Sequence, residues 1–241
     1  MPEEAHYLPG EPIEVKLSIT NTSSDVIVMS QYPPEIQVTP WQDRDRILSS
    51  RVGGTQPLEI KPGDTITVDF TWDQKNMEGE QSPPGWYAVT FKDISVTQGD
   101  RSITFNPTAR VLILYPQGAM EKSLDLNLSQ TVNDITITLE RMELIATSVK
   151  VYAFNTPPGY SLPPGQPGPA PSMWIHAEAE YSIDTGAVRK TGSSGIRFLG
   201  NGIRHTWDNL DPVPSDAKEM TFRITKLGDW EGPWEFKIPL D

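Results

Sequence analysis

There is no cysteine in this chain of 241 residues, which excludes disulfide staples, thiolate metal sites and cysteine nucleophiles together. Histidine is nearly as scarce. Only His6, His176 and His205 can supply an imidazole, and none stands in the setting of a catalytic base or of a His-Glu-x-x-His zinc site. Gly192-Ser193-Ser194-Gly195 is not a Gly-x-Ser-x-Gly nucleophile elbow and reads as a hairpin loop. Gly200-Asn201-Gly202 lacks the third glycine and the strand-to-helix setting of a dinucleotide fingerprint. Asp43-Arg44-Asp45 and Asp208-Asn209-Leu210-Asp211 fall short of the oxygen-ligand set of a calcium loop. Positive charge is thin as well: 20 Lys and Arg stand against 32 Asp and Glu, without a basic cluster, so nucleic acid is excluded as a general partner. No apolar run approaches the roughly 20 residues of a membrane-spanning helix, and Met1-Pro2-Glu3-Glu4 has neither the charged nor the apolar start of a signal peptide. The residues therefore imply no enzyme, no metal and no cofactor.

What is present is turn chemistry and alternation. With 23 Pro and 18 Gly lacking a collagen-like period, the chain suits many short strands joined by turns, an all-β class. Lys61-Pro62-Gly63-Asp64 launches the alternating run Ile66, Val68, Phe70, Trp72, and Pro84-Gly85 launches Trp86-Tyr87-Ala88-Val89, the pattern of neighbouring strands in an antiparallel sandwich. Ile13, Val15, Leu17 and Ile19 alternate in the same way. Val26 to Met29, Ile36 to Val38, Ile47-Leu48, Leu58 and Ile60, Val96, Ile103 to Phe105 and Ala109 to Tyr115 complete about seven to nine strands, the complement of one immunoglobulin-like sandwich. Trp72 and Trp86 are expected in its core.

Pro116-Gln117-Gly118 breaks the pattern, which places a boundary between domains 1–118 and 119–241. The second series starts at Leu124, Leu126 and Leu128 and continues through Ile135, Ile137 and Leu139. Leu139 to Ala146, helical at first sight, is read as two strand ends. Trp174 to Tyr181, Ile196 to Leu199, Ile203 to Trp207, Met220 to Ile224 and Trp234 to Leu240 follow with a period of two. The expected architecture is two tandem immunoglobulin-like antiparallel β-sandwiches. From Thr156 to Ser172 lies a tract with seven prolines, an exposed loop of polyproline character that reads first as a spacer or a sheet-edge cover, with partner docking by Tyr160 and the prolines as the alternative. Tyr160 in that tract, with Trp174, His176 and Trp230, are the candidate partner-binding residues; Trp230, beside Gly228-Asp229 and Glu231-Gly232, is the Trp expected to be exposed. His176, Glu178 and Glu180 read as the wet side of a strand, and His205 as a structural histidine. The Asn-x-Ser/Thr sequences at Asn21 and Asn127 carry little by themselves.

Ile13 to Met29 around Thr20-Asn21-Thr22, Ile60 to Asp73 with Pro62-Gly63 and Trp72-Asp73, and Pro84 to Val89 resemble, in that order, the BsuPI-type intracellular proteinase-inhibitor family. The likeness covers about 80 residues; it implies an immunoglobulin-like fold and offers serine-protease inhibition as one activity. Gln130 to Ile137 through Leu144, and Gly232 to Ile238, resemble the domains that follow a transmembrane helix in Gram-positive anti-sigma-factor-like surface proteins, except that Asn133-Asp134 replaces the Asn-Gly of a tight hairpin. That likeness implies a bacterial cell-surface ectodomain with a membrane anchor outside this sequence. The expectation is an extracellular interaction or sensing module with a protein or cell-wall glycan partner; the alternatives are a serine-protease inhibitor and a carbohydrate-binding module.

Overall fold

The computed structural model describes residues 5–157 and 176–241, and among them there is no helix. The chain divides into two compact units, Met1–Pro116 and Gln117–Asp241. The division falls two residues before the expected one because Ser215 binds the Gln117 carbonyl through its hydroxyl and the Gly118 carbonyl through its amide. Gln117 and Gly118 are thereby tied into the second unit.

The first unit contains β1 (Ala5–Tyr7), β2 (Ile13–Thr20), β3 (Ile27–Tyr32), β4 (Glu35–Pro40), β5 (Ser49–Arg51), β6 (Gln56–Ile60), β7 (Thr65–Trp72), β8 (Gly85–Lys92), β9 (Ile94–Gln98), β10 (Arg101–Phe105) and β11 (Thr108–Ile113). One sheet runs β1-β11-β8-β4-β5, a second β10-β9-β3-β6, and β2 pairs with β7. The order β11-β8-β4 is the G-F-C order of an immunoglobulin sandwich, and β2-β7 stands in the place of its B-E pair. Ile13, Val15, Leu17 and Ile19 lie opposite Trp72, Phe70, Val68 and Ile66, so the two alternating runs share one apolar face. That face meets Tyr87, Val89, Phe91, Val111 and Ile113 in the core, where the Trp72 and Tyr87 rings stand edge to face at 5.1 Å. Ile47-Leu48 is not a strand: the chain loops from Trp41 and rejoins the sheet at Ser49, with buried Leu48 bonded through its amide to the Val38 carbonyl.

The Lys61–Asp64 segment is a β-turn closed by Asp64 N to Lys61 O at 3.0 Å, with Gly63 at φ 81°, the conformation that glycine supplies at the third position of a type II turn. It is interlocked with the 21–25 turn. The Asn21 side chain, 1% exposed, donates to the carbonyls of Asp25 and Ile60, both at 2.8 Å, and accepts from Ser23. The Asn21 backbone exchanges bonds with Asp64 and Gly63.

The second unit contains β12 (Lys122–Val132), β13 (Ile135–Ile145), β14 (Ser148–Asn155), β15 (Ala177–Ile183), β16 (Arg189–Gly192), β17 (Gly195–Leu199), β18 (Gly202–Leu210), β19 (Glu219–Leu227) and β20 (Trp230–Pro239). Its sheets run β12-β13-β14-β18-β17 and β16-β15-β19-β20. With β12 set aside as an added edge strand, these are A-B-E-D and C′-C-F-G, the immunoglobulin order. Trp207, Phe222, Trp234, Tyr181 and Met142 fill the core, Trp207 standing edge to face on Phe222 at 5.3 Å. The β12-β13 hairpin turns at Asn133-Asp134, both at positive φ (49° and 62°). The backbone of a type I′ turn therefore forms without the glycine.

Leu139 to Ala146 are not two strand ends. β13 runs unbroken to Ile145, and the apparent helical spacing comes from a bulge: Ile135, Ile137 and Leu139 face the core, then Met142 and Leu144, one residue out of phase. Glu140 is the extra residue. Removing the Asn21 side-chain bonds takes the donor from the buried Ile60 carbonyl and one of two from the Asp25 carbonyl, so Asn21→Ala is expected to destabilise the first unit by about 2 kcal/mol. Exposed Thr22→Ala is the control in denaturant unfolding, and equal midpoints for the two variants would refute the interlock.

Candidate functional sites

Adjacent residues of a strand face opposite ways, so with Tyr87 turned into the core, Trp86 lies on the outer face of the five-stranded sheet. It is buried, at 3% exposure, yet it stands outside the core between the sheets. Arg110, opposite Ala88 on β11, lays its guanidinium 3.8 Å from the Trp86 ring centroid and 4.7 Å from that of Trp41. Trp41 follows β4 directly, its amide bonded to the Trp86 carbonyl. Arg44 closes the ladder 3.9 Å above the Trp41 ring, its Nε donating to the Trp41 carbonyl, and His6 stands edge-on to Trp86 at the other end. Partial burial, then the charge of Arg110, holds the Arg44 guanidinium below its ordinary pKa. Each such stack is worth roughly 0.5 to 2 kcal/mol, so the face is stiff while Arg44 remains exposed and Trp41 half-exposed.

A hollow of about 320 Å³ opens on the outer face of the second unit's five-stranded sheet, lined by Asp125, Glu140, Arg141, Tyr152 and Arg204. It sits over the bulge. Leu126 and Asn127 of β12 stand against the single residue Glu140, Asn127 at φ 51°, and on the other side Glu140 has no opposite residue on β14. So released, the Glu140 carboxylate grips Arg204 of β18 in a fork, at 2.6 and 3.1 Å. This bond raises the pKa of the guanidinium. Arg141 binds Ser123 and Glu143, and the Tyr152 hydroxyl donates to Glu143 at 3.3 Å.

Two buried polar groups sit within the second core. His205, 1% exposed, shares a 3.2 Å bond between its Nε2 and the Asn155 Oδ1; its Nδ1, the Asn155 amide nitrogen and the Trp207 indole nitrogen make no hydrogen bond among the described residues. Burial pushes the His205 imidazole down to about 4. Tyr181 donates to Asp211 at 2.7 Å and Asp211 pairs with Arg189; burial, then the Asp211 charge, raises the phenol pKa.

Of the residues singled out from the sequence, Tyr160 and Trp174 lie outside the described residues. His176 is exposed, with Nε2 3.6 Å from Glu178. Trp230 is not the exposed Trp: the two-residue turn at Gly228-Asp229 sets it opposite Leu227, half-buried against the core. Trp207 and Trp234 are fully buried. Among the described residues no group of three or more His, Asp or Glu is placed to hold a metal ion. Arg44, Arg110, Glu140 and Arg204 escaped sequence reading; the phase slip between Leu139 and Met142 was the available signal for Glu140.

No family model matches the chain, and no curated protein does. Among solved structures, it aligns over 99% of its length with 96% of a chain in the CsuC–CsuE chaperone–tip adhesion subunit pre-assembly complex of Acinetobacter baumannii Csu pili, at 13% identity and TM-score 0.28. It aligns over its full length with 96% of bovine butyrophilin at 11% identity and TM-score 0.24. The Ruminococcus gnavus β-glucuronidase aligns with 97% of the chain over 35% of its own length, at 11% identity and TM-score 0.22. Likeness at this level carries no argument about function, and the class, an all-β chain of immunoglobulin-like sandwiches, rests on the strand order.

Because the folded pKa of His205 lies below the ordinary 6.5, the unfolded chain takes up that proton first as pH falls. The stability tied to the neutral ring is whole above pH 6.5 and drains between there and about 4, a loss of about 3 kcal/mol. Denaturant unfolding of the second unit at the two ends of this window, compared with His205→Gln, should show a drop smaller by that amount in the variant. Equal drops would refute the assignment.

Proposed function

We propose that this chain is a non-enzymatic interaction module of a bacterial envelope protein, and that a protein partner docks on the Trp41–Arg44 end of the first unit's five-stranded sheet. The observation that carries the reading is the Arg44–Trp41 end of the ladder. Trp and Arg dominate the energetics of protein interfaces, and here both are held by stacking before any partner arrives, which lowers the ordering cost of binding. The exposed Arg44 guanidinium, laid on the Trp41 ring beside Arg110, favours a partner that brings a carboxylate to the contact. The envelope setting is supported by the likeness of 130–144 and 232–238 to surface ectodomains.

The test immobilises the wild-type chain and Trp41→Ala/Arg44→Glu in parallel against a bacterial envelope extract, and rebinds in purified form any species that distinguishes them. A species that binds the wild type and loses at least about thirtyfold, or 2 kcal/mol, on the variant is the expected result. Retention indifferent to the variant, with unchanged circular dichroism, overturns the reading.

A second reading has one observation in its favour. Between β7 and β8 the Asn76 side chain accepts from the amides of Glu78 and Glu80, bracing a turn that presents Met77 at 61% exposure. A braced, protruding loop of this kind suits a serine-protease inhibitor. Inhibition of a protease panel at micromolar protein, lost in Met77→Asp, is its expected signature; unhindered protease activity with cleavage in the loop removes it.

A further inference from the structure

We propose that the hollow over the β13 bulge is a binding site for an uncharged carbohydrate. Its volume of about 320 Å³ lies in the range of small-molecule sites, and the lining chemistry selects among ligands. Asp125 and Glu140 are matched by Arg141 and Arg204, so the lining carries no net charge. The Arg204 guanidinium is engaged by Glu140 and the Arg141 guanidinium by Glu143. An anionic ligand would have to displace a carboxylate from one of them, at the cost of an ion pair, and a cationic ligand would be repelled by both guanidiniums.

A polyhydroxyl ligand avoids that cost. It can donate to the exposed Asp125 carboxylate, accept from guanidinium N–H groups and exchange hydrogen bonds with the Tyr152 hydroxyl, using capacity that the existing pairs leave over. Those groups are already ordered. Glu140 fixes Arg204, Ser123 fixes Arg141 and Glu143 holds Tyr152, so little side-chain entropy remains to be lost on binding.

The backbone under the hollow supports the assignment independently. A bulge of two residues against one, in the middle of an 11-residue strand pair, interrupts an otherwise regular ladder and holds Asn127 at φ 51°. Asn tolerates that conformation better than most residues, and bulges re-aim side chains at functional places. Against β14 Glu140 is itself the extra residue, and this neighbouring irregularity turns it onto the outer face, toward Arg204. The site lies on a different unit from the proposed protein-docking face and does not depend on it.

Nuclear magnetic resonance titration of the 15N-labelled chain tests the assignment, with neutral trisaccharides of glucose, galactose and N-acetylglucosamine as probes and glucuronate and inorganic phosphate as the charged arm. At least one neutral sugar is expected to shift amides of 123–128, 140–143 and 152, with affinity lowered at least about tenfold in Asp125→Ala and in Arg141→Ala. Both replaced side chains are exposed, and Trp41→Ala/Arg44→Glu should bind the sugar as the wild type does. Shifts absent up to about 10 mM sugar, shifts insensitive to both hollow variants, or tighter binding of glucuronate or phosphate than of any neutral sugar would each overturn the proposal.

Discussion

The surfaces of this chain depend on strand register more than on any single contact. Pairing β2 with β7 so that Ile13 meets Trp72 and Ile19 meets Ile66 commits one face of both strands to the core and leaves the other to water. A one-residue slip would invert that assignment along the whole pair. The interlocked turns around Asn21 and Gly63 sit at the end where β2 leaves and β7 enters, and they fix the register where it starts. In the second unit the register slips at Glu140, and the charged hollow lies over that slip.

Strand existence was legible because period-two alternation is a local property: Ile13 to Ile19, Ile66 to Trp72 and Ile135 to Leu139 each orient themselves without knowledge of a partner. Facing was less so. Trp86 reads as core because it is large and follows a Pro-Gly turn, yet Tyr87 takes the inward position and Trp86 is buried from outside, under Arg110. Trp230 reads as exposed because its neighbours are glycine and acids, yet the tight turn sets it across from Leu227. Arg44 and Arg110 meet on Trp41 only because β4, β8 and β11 are neighbours, a nonlocal fact that no spacing encodes. The slip at Glu140 was written in the sequence, but a phase change of one residue can be read as a bulge or as two strand ends until the hydrogen-bond partners are known.

Charge is organised differently in the two units. The chain carries a net −12, which at physiological salt decays over roughly 8 Å, so contacts are governed by what stands nearby. On the first unit's outer face two arginines share an indole. On the second unit's, the two arginines that line the hollow each face a carboxylate. The first arrangement brings two cations onto one ring; the second is locally balanced and richer in directional hydrogen-bonding groups than in field.

The interlocking asparagine also has a bearing on biosynthesis. Asn21 begins an Asn-Thr-Ser sequence, and the amide nitrogen to which a glycan would be attached is the one that donates to the Asp25 and Ile60 carbonyls inside the folded unit. A secretory pathway that glycosylates chains before they fold would modify the very atom that the two turns close upon. In the folded first unit that nitrogen is buried and engaged, so a glycan on Asn21 and the two closed turns exclude each other.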